Sequence, residues 1–122
     1  MQQIQIPPLA EGETYLYGRI DKNGEIEHTV IVAVNDEELP REKQREWAKS
    51  VGGVLMNRVE AIFIYNEQRD LVKPDLYWTD EDVEWDTACA WYQYFGDGNQ
   101  RYGRKSAALR AVAVRRFIPS VI

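Results

Sequence analysis

Leu76-Tyr77-Trp78-Thr79, Ala90-Trp91-Tyr92-Gln93-Tyr94-Phe95 and Arg110-Ala111-Val112-Ala113-Val114-Arg115-Arg116-Phe117 are the three runs whose reading decides the fold. Each is apolar, aromatic or β-branched, and one acidic loop and two glycine-containing polar loops cut them apart, the pattern of successive antiparallel strands. The last run alternates only weakly. Val112 and Val114 fall on one side and Ala111 and Ala113 on the other, so its middle should be covered on both faces, which makes it a central strand.

Upstream, Thr14 to Ile20 and Glu25 to Val34 flank Asp21-Lys22-Asn23-Gly24, a tight turn because Asn-Gly tolerates positive φ, and the two runs read as a hairpin. Ile4 to Ile6 reads as an edge strand stopped by Pro7-Pro8, which donate nothing to a ladder. Leu39 to Val51 reads as a helix, with Pro40 in its first turn and Gly52-Gly53 as a left-handed stop. Trp47, Ala48 and Val51 give it one narrow apolar stripe, and its other faces should be wet. After Val54-Leu55-Met56, a second helix spans Arg58 to Gln68 with Val59, Ile62 and Phe63 at helical spacing. Asn57 and Glu60 stand at the spacing of a capping box.

The 122 residues suit one domain with one real core. No run is long and apolar enough to cross a bilayer, and the N-terminus lacks the basic start and apolar stretch of a secretory signal. The single cysteine, Cys89, has no internal disulfide partner and reads as a small buried hydrophobe in a reducing cytosol. Net charge is −5, but every acidic residue lies at or before Asp97, whereas Arg101, Arg104, Lys105, Arg110, Arg115 and Arg116 follow it. Asp75, Asp80, Glu81, Asp82, Glu84 and Asp86 form an acidic run without a cation. Such a balance disfavours generic attachment to nucleic acid or anionic membrane, which needs clustered Lys and Arg.

The order Pro8-Leu9-Ala10-Glu11-Gly12-Glu13, Trp47-Ala48 with Gly52-Gly53-Val54-Leu55, the helix carrying Arg58 and Glu60, Tyr77-Trp78-Thr79, Ala90-Trp91 with Phe95 and Gly98, and Arg110 to Arg116 resembles small phage and prophage proteins. Those belong to the domain-of-unknown-function family named after the C-terminal domain of the Legionella collagen-like protein. The resemblance covers nearly the whole chain. It implies an α+β, C-type-lectin-like fold in which two helices pack on a small twisted antiparallel sheet and the chain ends meet on neighbouring strands. Where the family usually has Leu-Pro-Thr-Arg leading into the second helix, this chain has Leu55-Met56-Asn57-Arg58, and Tyr77-Trp78-Thr79 replaces Tyr-Trp-Ser. Relatives of that fold recognise receptors or catalyse unrelated reactions, so the fold transfers no chemistry.

Catalytic groups are sparse. Asp80, Glu81, Asp82, Glu84, Asp86, Asp97 and Asn99 are oxygen donors in two loops, but they lack EF-hand spacing and read as a solvated acidic surface. One His and one Cys do not complete a zinc set. His28 reads as a surface or edge histidine, the flanks of Cys89 promise no thiolate, and Gly96-Asp97-Gly98 sits in a hairpin turn, away from any strand-to-helix phosphate loop. No enzyme, metal or cofactor is therefore expected.

Recognition fits better. Trp78, Trp91 and Phe95 read as core, whereas Trp85, Tyr92, Tyr94 and Tyr102, interleaved with Asn99, Arg101 and Arg104, have the composition of a contact surface. The expectation is a non-enzymatic phage or prophage accessory protein in the host cytoplasm that binds a protein partner through residues 79–106. A host defence factor with a basic groove would meet the acidic run, including Asp80, Glu81 and Asp82. The rival expectations are a virion-associated module recognising a receptor or glycan, and a small-anion or nucleotide binder using Arg101, Arg104 and Lys105.

Overall fold

The computed structural model describes residues 6–119, so most of the expected Ile4 to Ile6 strand lies outside the described residues. The architecture is α+β: two helices and a seven-stranded, mostly antiparallel sheet, larger than the small sheet expected. The strands are β1 (Thr14–Ile20), β2 (Ile26–Leu39), β3 (Val54–Leu55), β4 (Leu76–Val83), β5 (Asp86–Tyr94), β6 (Gln100–Arg104) and β7 (Leu109–Phe117). The helices are α1 (Arg41–Ser50) and α2 (Arg58–Glu67). The order is β1-β2-β7-β4-β5-β6, with β3 also on β7. Among the described strands, the first and last therefore flank β2 and do not touch each other.

β7 is central, as its weak alternation requires. It pairs antiparallel with β2 along one edge, and its other edge is shared by β4, parallel at Tyr77–Arg110 and Trp78–Ala111, and by β3 at Val54–Val114. The three C-terminal runs are thus not a simple meander, because β7 leaves β6 and returns between β2 and β4. Met56 wedges the two partners apart: its N–H donates to Val112 O and its carbonyl accepts from Asp80 N.

The pleat divides the core. Val112 and Val114 join Met56, Ala61, Ile64, Tyr77 and Phe95 under α2, whereas Ala111 and Ala113 join Ala48, Leu55, Trp78 and Ala90 under α1. The alanines let α1 lie close while leaving room for the buried Trp78 ring. A Schellman stop ends α1, with Gly52 at φ +84°, Gly53 N–H on Ala48 O and Gly52 N–H on Lys49 O. Gly53 also has no room for a side chain, since a Cβ there would stand 2.7 Å from the Val114 carbonyl. At the start of α2 the expected capping box forms, with Asn57 and Glu60 exchanging side-chain-to-backbone hydrogen bonds of 2.8 Å.

Four expectations need correcting. β2 runs on to Leu39, since β7 continues to offer it a ladder and Arg110 and the Gln44 side chain hold the carbonyls of Asp36 and Glu37. Arg41 and Gln44 of α1 are buried, where a wet face was expected. α2 turns Val59, Ile62 and Phe63 outward and buries Glu60, Ala61 and Ile64. His28 is buried, not on the surface: its Nδ1 shares a 2.8 Å hydrogen bond with the Tyr15 hydroxyl and its ring lies beside Phe117.

Candidate functional site

Trp85 sits in the β4–β5 turn, Trp91 on β5 and Tyr102 opposite it on β6. The three rings meet edge to face, with centroids 5.3–6.2 Å apart and interplanar angles of 75–90°. This geometry suits the ring quadrupoles and holds each ring in place. Trp85 nevertheless remains 67% exposed and Tyr102 47%. Trp91 is half-buried and belongs to this cluster, which corrects its reading as core; Trp78 and Phe95 are core as expected.

Arg58, the first residue of α2, covers Trp91 with its guanidinium 3.7 Å from the ring centroid. A side-chain relay fixes it there. Arg58 Nε donates to Gln100 Oε1 at 3.0 Å, and Gln100 Nε2 donates both to Arg58 O and to Oε1 of the buried Gln93. The same surface continues along α2, where a shallow groove is lined by Arg58, Val59, Ile62, Glu81 and Gln100. Val59 and Ile62 are at least half exposed. Trp85, Tyr102, Arg58, Val59 and Ile62 thus form one aromatic and aliphatic face with its cation held in position.

The other expected contact residues are divided by the pleat. Register places Tyr102 and Arg104 on the face of Trp91, and Arg101 beside Tyr92 on the opposite face. There Tyr92, Tyr94 and Arg101 line a separate groove of about 420 Å³ with Asp75 and Asp97. Asn99 has a local role: its N–H and side-chain amide bind Asp97, and its carbonyl accepts from Tyr94 N. Arg101, Arg104 and Lys105 do not converge on an anion, since Arg101 and Arg104 leave opposite faces and Lys105 pairs with Asp82 at 3.2 Å.

The acidic run is not a free surface either. Asp80 to Asp82 belong to β4, not to a loop. Asp80 accepts from Arg45 at 2.8 Å, Asp82 from the buried Arg41 at 2.7 Å, and Glu81 from the Arg58 N–H at the start of α2. Asp75 accepts from Arg110 at 3.0 Å. These partners stand 23 to 41 positions away, so linear charge counting does not find them. Arg41, followed by Lys105, holds the Asp82 carboxyl below its ordinary range against the opposing effect of burial. Burial, and then the Asp86 carboxylate, pushes the Cys89 thiol up, so the thiol form is favoured at neutral pH. Among the described residues no group of three or more His, Cys, Asp or Glu is arranged to hold a metal ion, and no helix is long and apolar enough to cross a membrane.

The missed part of the site is the outward stripe of α2 and the Arg58 stack. Val59, Ile62 and Phe63 had a signal, since they share one face with Glu60 and Ala61 on another, but helical spacing alone does not say which face meets the sheet. Compared with known proteins, the chain matches no family model and no curated protein.

Proposed function

We infer that this chain is a non-enzymatic binding protein whose contact surface is the face made by α2 and the β4–β5–β6 corner. The observation that carries this is the exposed Trp85–Trp91–Tyr102 cluster, prearranged under Arg58 and continuous with Val59 and Ile62. Aromatic residues and arginine held rigid at the surface give contact area at small entropic cost, and exposed apolar side chains gathered on one face mark interaction sites. The setting follows the family resemblance: a phage or prophage accessory protein with a C-type-lectin-like form of the α+β fold, acting on a host protein in the infected cell. Docking of a basic groove on the acidic run is not part of this reading, because Asp75, Asp80 and Asp82 are occupied by internal arginines and Lys105.

The test is capture from host lysate by the wild-type protein and by the variants Trp85→Ala and Ile62→Glu. Both change exposed side chains, so both fold with near-wild-type melting temperatures. A protein retained by wild type and lost by both variants supports the assignment; retention unchanged by either variant overturns it.

A further inference from the structure

Among the described residues β6 is an outer strand, bonded only to β5. The bonds Tyr94 N–H to Asn99 O and Lys105 N–H to Ala88 O show which residues of this antiparallel pair face inward. By the alternation of such ladders, residues 99, 101, 103 and 105 direct their backbone groups at β5, and Gln100, Tyr102 and Arg104 direct theirs outward. The Arg104 carbonyl is taken by Ala107 N–H. Among the described residues, the N–H and C=O of Gln100 and Tyr102 and the N–H of Arg104 remain along the open edge.

Cations without an ion-pair partner gather at this edge. Arg41, Arg45, Lys105, Arg110, Arg115 and Arg116 each have a carboxylate within ion-pairing distance. Lys22, Lys49, Arg58, Arg69, Arg101 and Arg104 have none among the described residues, and three of these, Arg58, Arg101 and Arg104, bracket β6 although the chain as a whole carries −5. Arg101 stands on one face of the sheet and Arg104 on the other, where Tyr102, with Trp85 against it, lies between Arg104 and Gln100, the partner of Arg58. A strand laid along β6 would put its successive side chains on alternate faces, so carboxylates on either side would find an unpaired guanidinium.

We propose that the β6 edge receives an extended acidic segment of the partner as an added strand. The outward groups of Gln100, Tyr102 and Arg104 supply its ladder, Arg101 and Arg104 face its carboxylates, and Trp85 and Tyr102 cover its apolar side chains. This rests on the contact-surface reading above and names the chemistry of what docks there. A short, arginine-bearing edge also guards against unwanted strand pairing, and the experiment separates guarding from binding.

The probe is a fluorescent peptide of Glu-Glu-Val-Tyr repeats, which as a strand carries both carboxylates and apolar side chains on each face, compared with its Lys-for-Glu counterpart and with an acidic version N-methylated on alternate amides. Saturable binding of the acidic peptide is expected, about tenfold weaker for each comparison peptide and for Arg101→Glu and Arg104→Glu, and weakening with salt. Hydrogen exchange should slow at the Gln100, Tyr102 and Arg104 amides. Absence of saturable binding, equal affinity for the Lys peptide, or protection confined to other elements overturns the proposal. If any of these occurs while Trp85→Ala and Ile62→Glu still release a captured partner, strand addition falls and the aromatic face stands.

Discussion

Glu60 joins three parts of the molecule through one buried carboxylate. It caps α2 by accepting from Asn57 N–H, binds Arg116 of β7 at 2.6 and 2.7 Å, and lies 3.5 Å from the Thr29 hydroxyl of β2. Glu60→Ala leaves a partly buried guanidinium and the Asn57 N–H without their acceptor, while Asn57 still caps the residue-60 N–H, and should cost about 3 kcal/mol in urea unfolding. Only the cap was legible in the sequence, since it is local; the Arg116 pairing spans 56 positions and depends on how β7 returns. Arg41 offers a sharper contrast. Its guanidinium is fully buried, bonded to Asp82 and to Asp80 O, while its Nε has no partner. Asp82→Ala, which removes the one short carboxylate bond and leaves Glu42 and Asp80 at 3.8 and 3.9 Å, should cost about 2 kcal/mol, and Arg41→Met, which removes both the charge and the unpaired Nε, should cost less. Equal or reversed costs would contradict this account of the cluster.

At the scale of elements, the two helices show what periodicity does and does not determine. The stripe of α1 was legible because Trp47, Ala48 and Val51 are the apolar residues of its run, and Ala48 is fully buried, whereas the burial of Arg41 and Gln44 carried no such signal. α2 is apolar on more than one face, so its sequence supports two orientations, and the sheet selects the one that buries Ala61 and Ile64. Ile64→Ala should therefore destabilise the protein by about 3 kcal/mol, and Ile62→Ala by less than about 0.5 kcal/mol. The opposite ranking in urea denaturation would mean that the helix is turned the other way. β7 was legible as a central strand from its two-sided composition, but its parallel pairing with β4 was not, because hydrophobic runs carry no partner address. Ala113→Leu, forced between β7 and α1, should cost about 1–3 kcal/mol.

For the whole molecule, carboxylates held by backbone N–H groups and by internal arginines set the response to acid. The Glu13 carboxyl is held below its ordinary 4.5 by the Ala10 N–H, against burial, with Arg115 assisting. At Asp75 burial acts upward but is outweighed by the Leu76 N–H and Arg110, and at Asp82 by the bond to Arg41, so both lie below 3.8. Each group binds fewer protons folded than unfolded. The stability they contribute is complete above their ordinary values and disappears as pH falls through the lowered ones. Urea-unfolding free energy should be level in these groups' contribution above about pH 5 and decline below about pH 4, with a shallower decline in Asp82→Asn. The same pairing explains why charge counting overstated the acidic surface, and why the exposed aromatic face is the better candidate for contact. That claim is tested most directly by photo-cross-linking in the producing cell, with benzoylphenylalanine in place of Trp85 or, as a control, of Lys22 in the β1–β2 turn. The account predicts a discrete covalent adduct from position 85 and none from position 22; no adduct from position 85, or the same adducts from both, would contradict it.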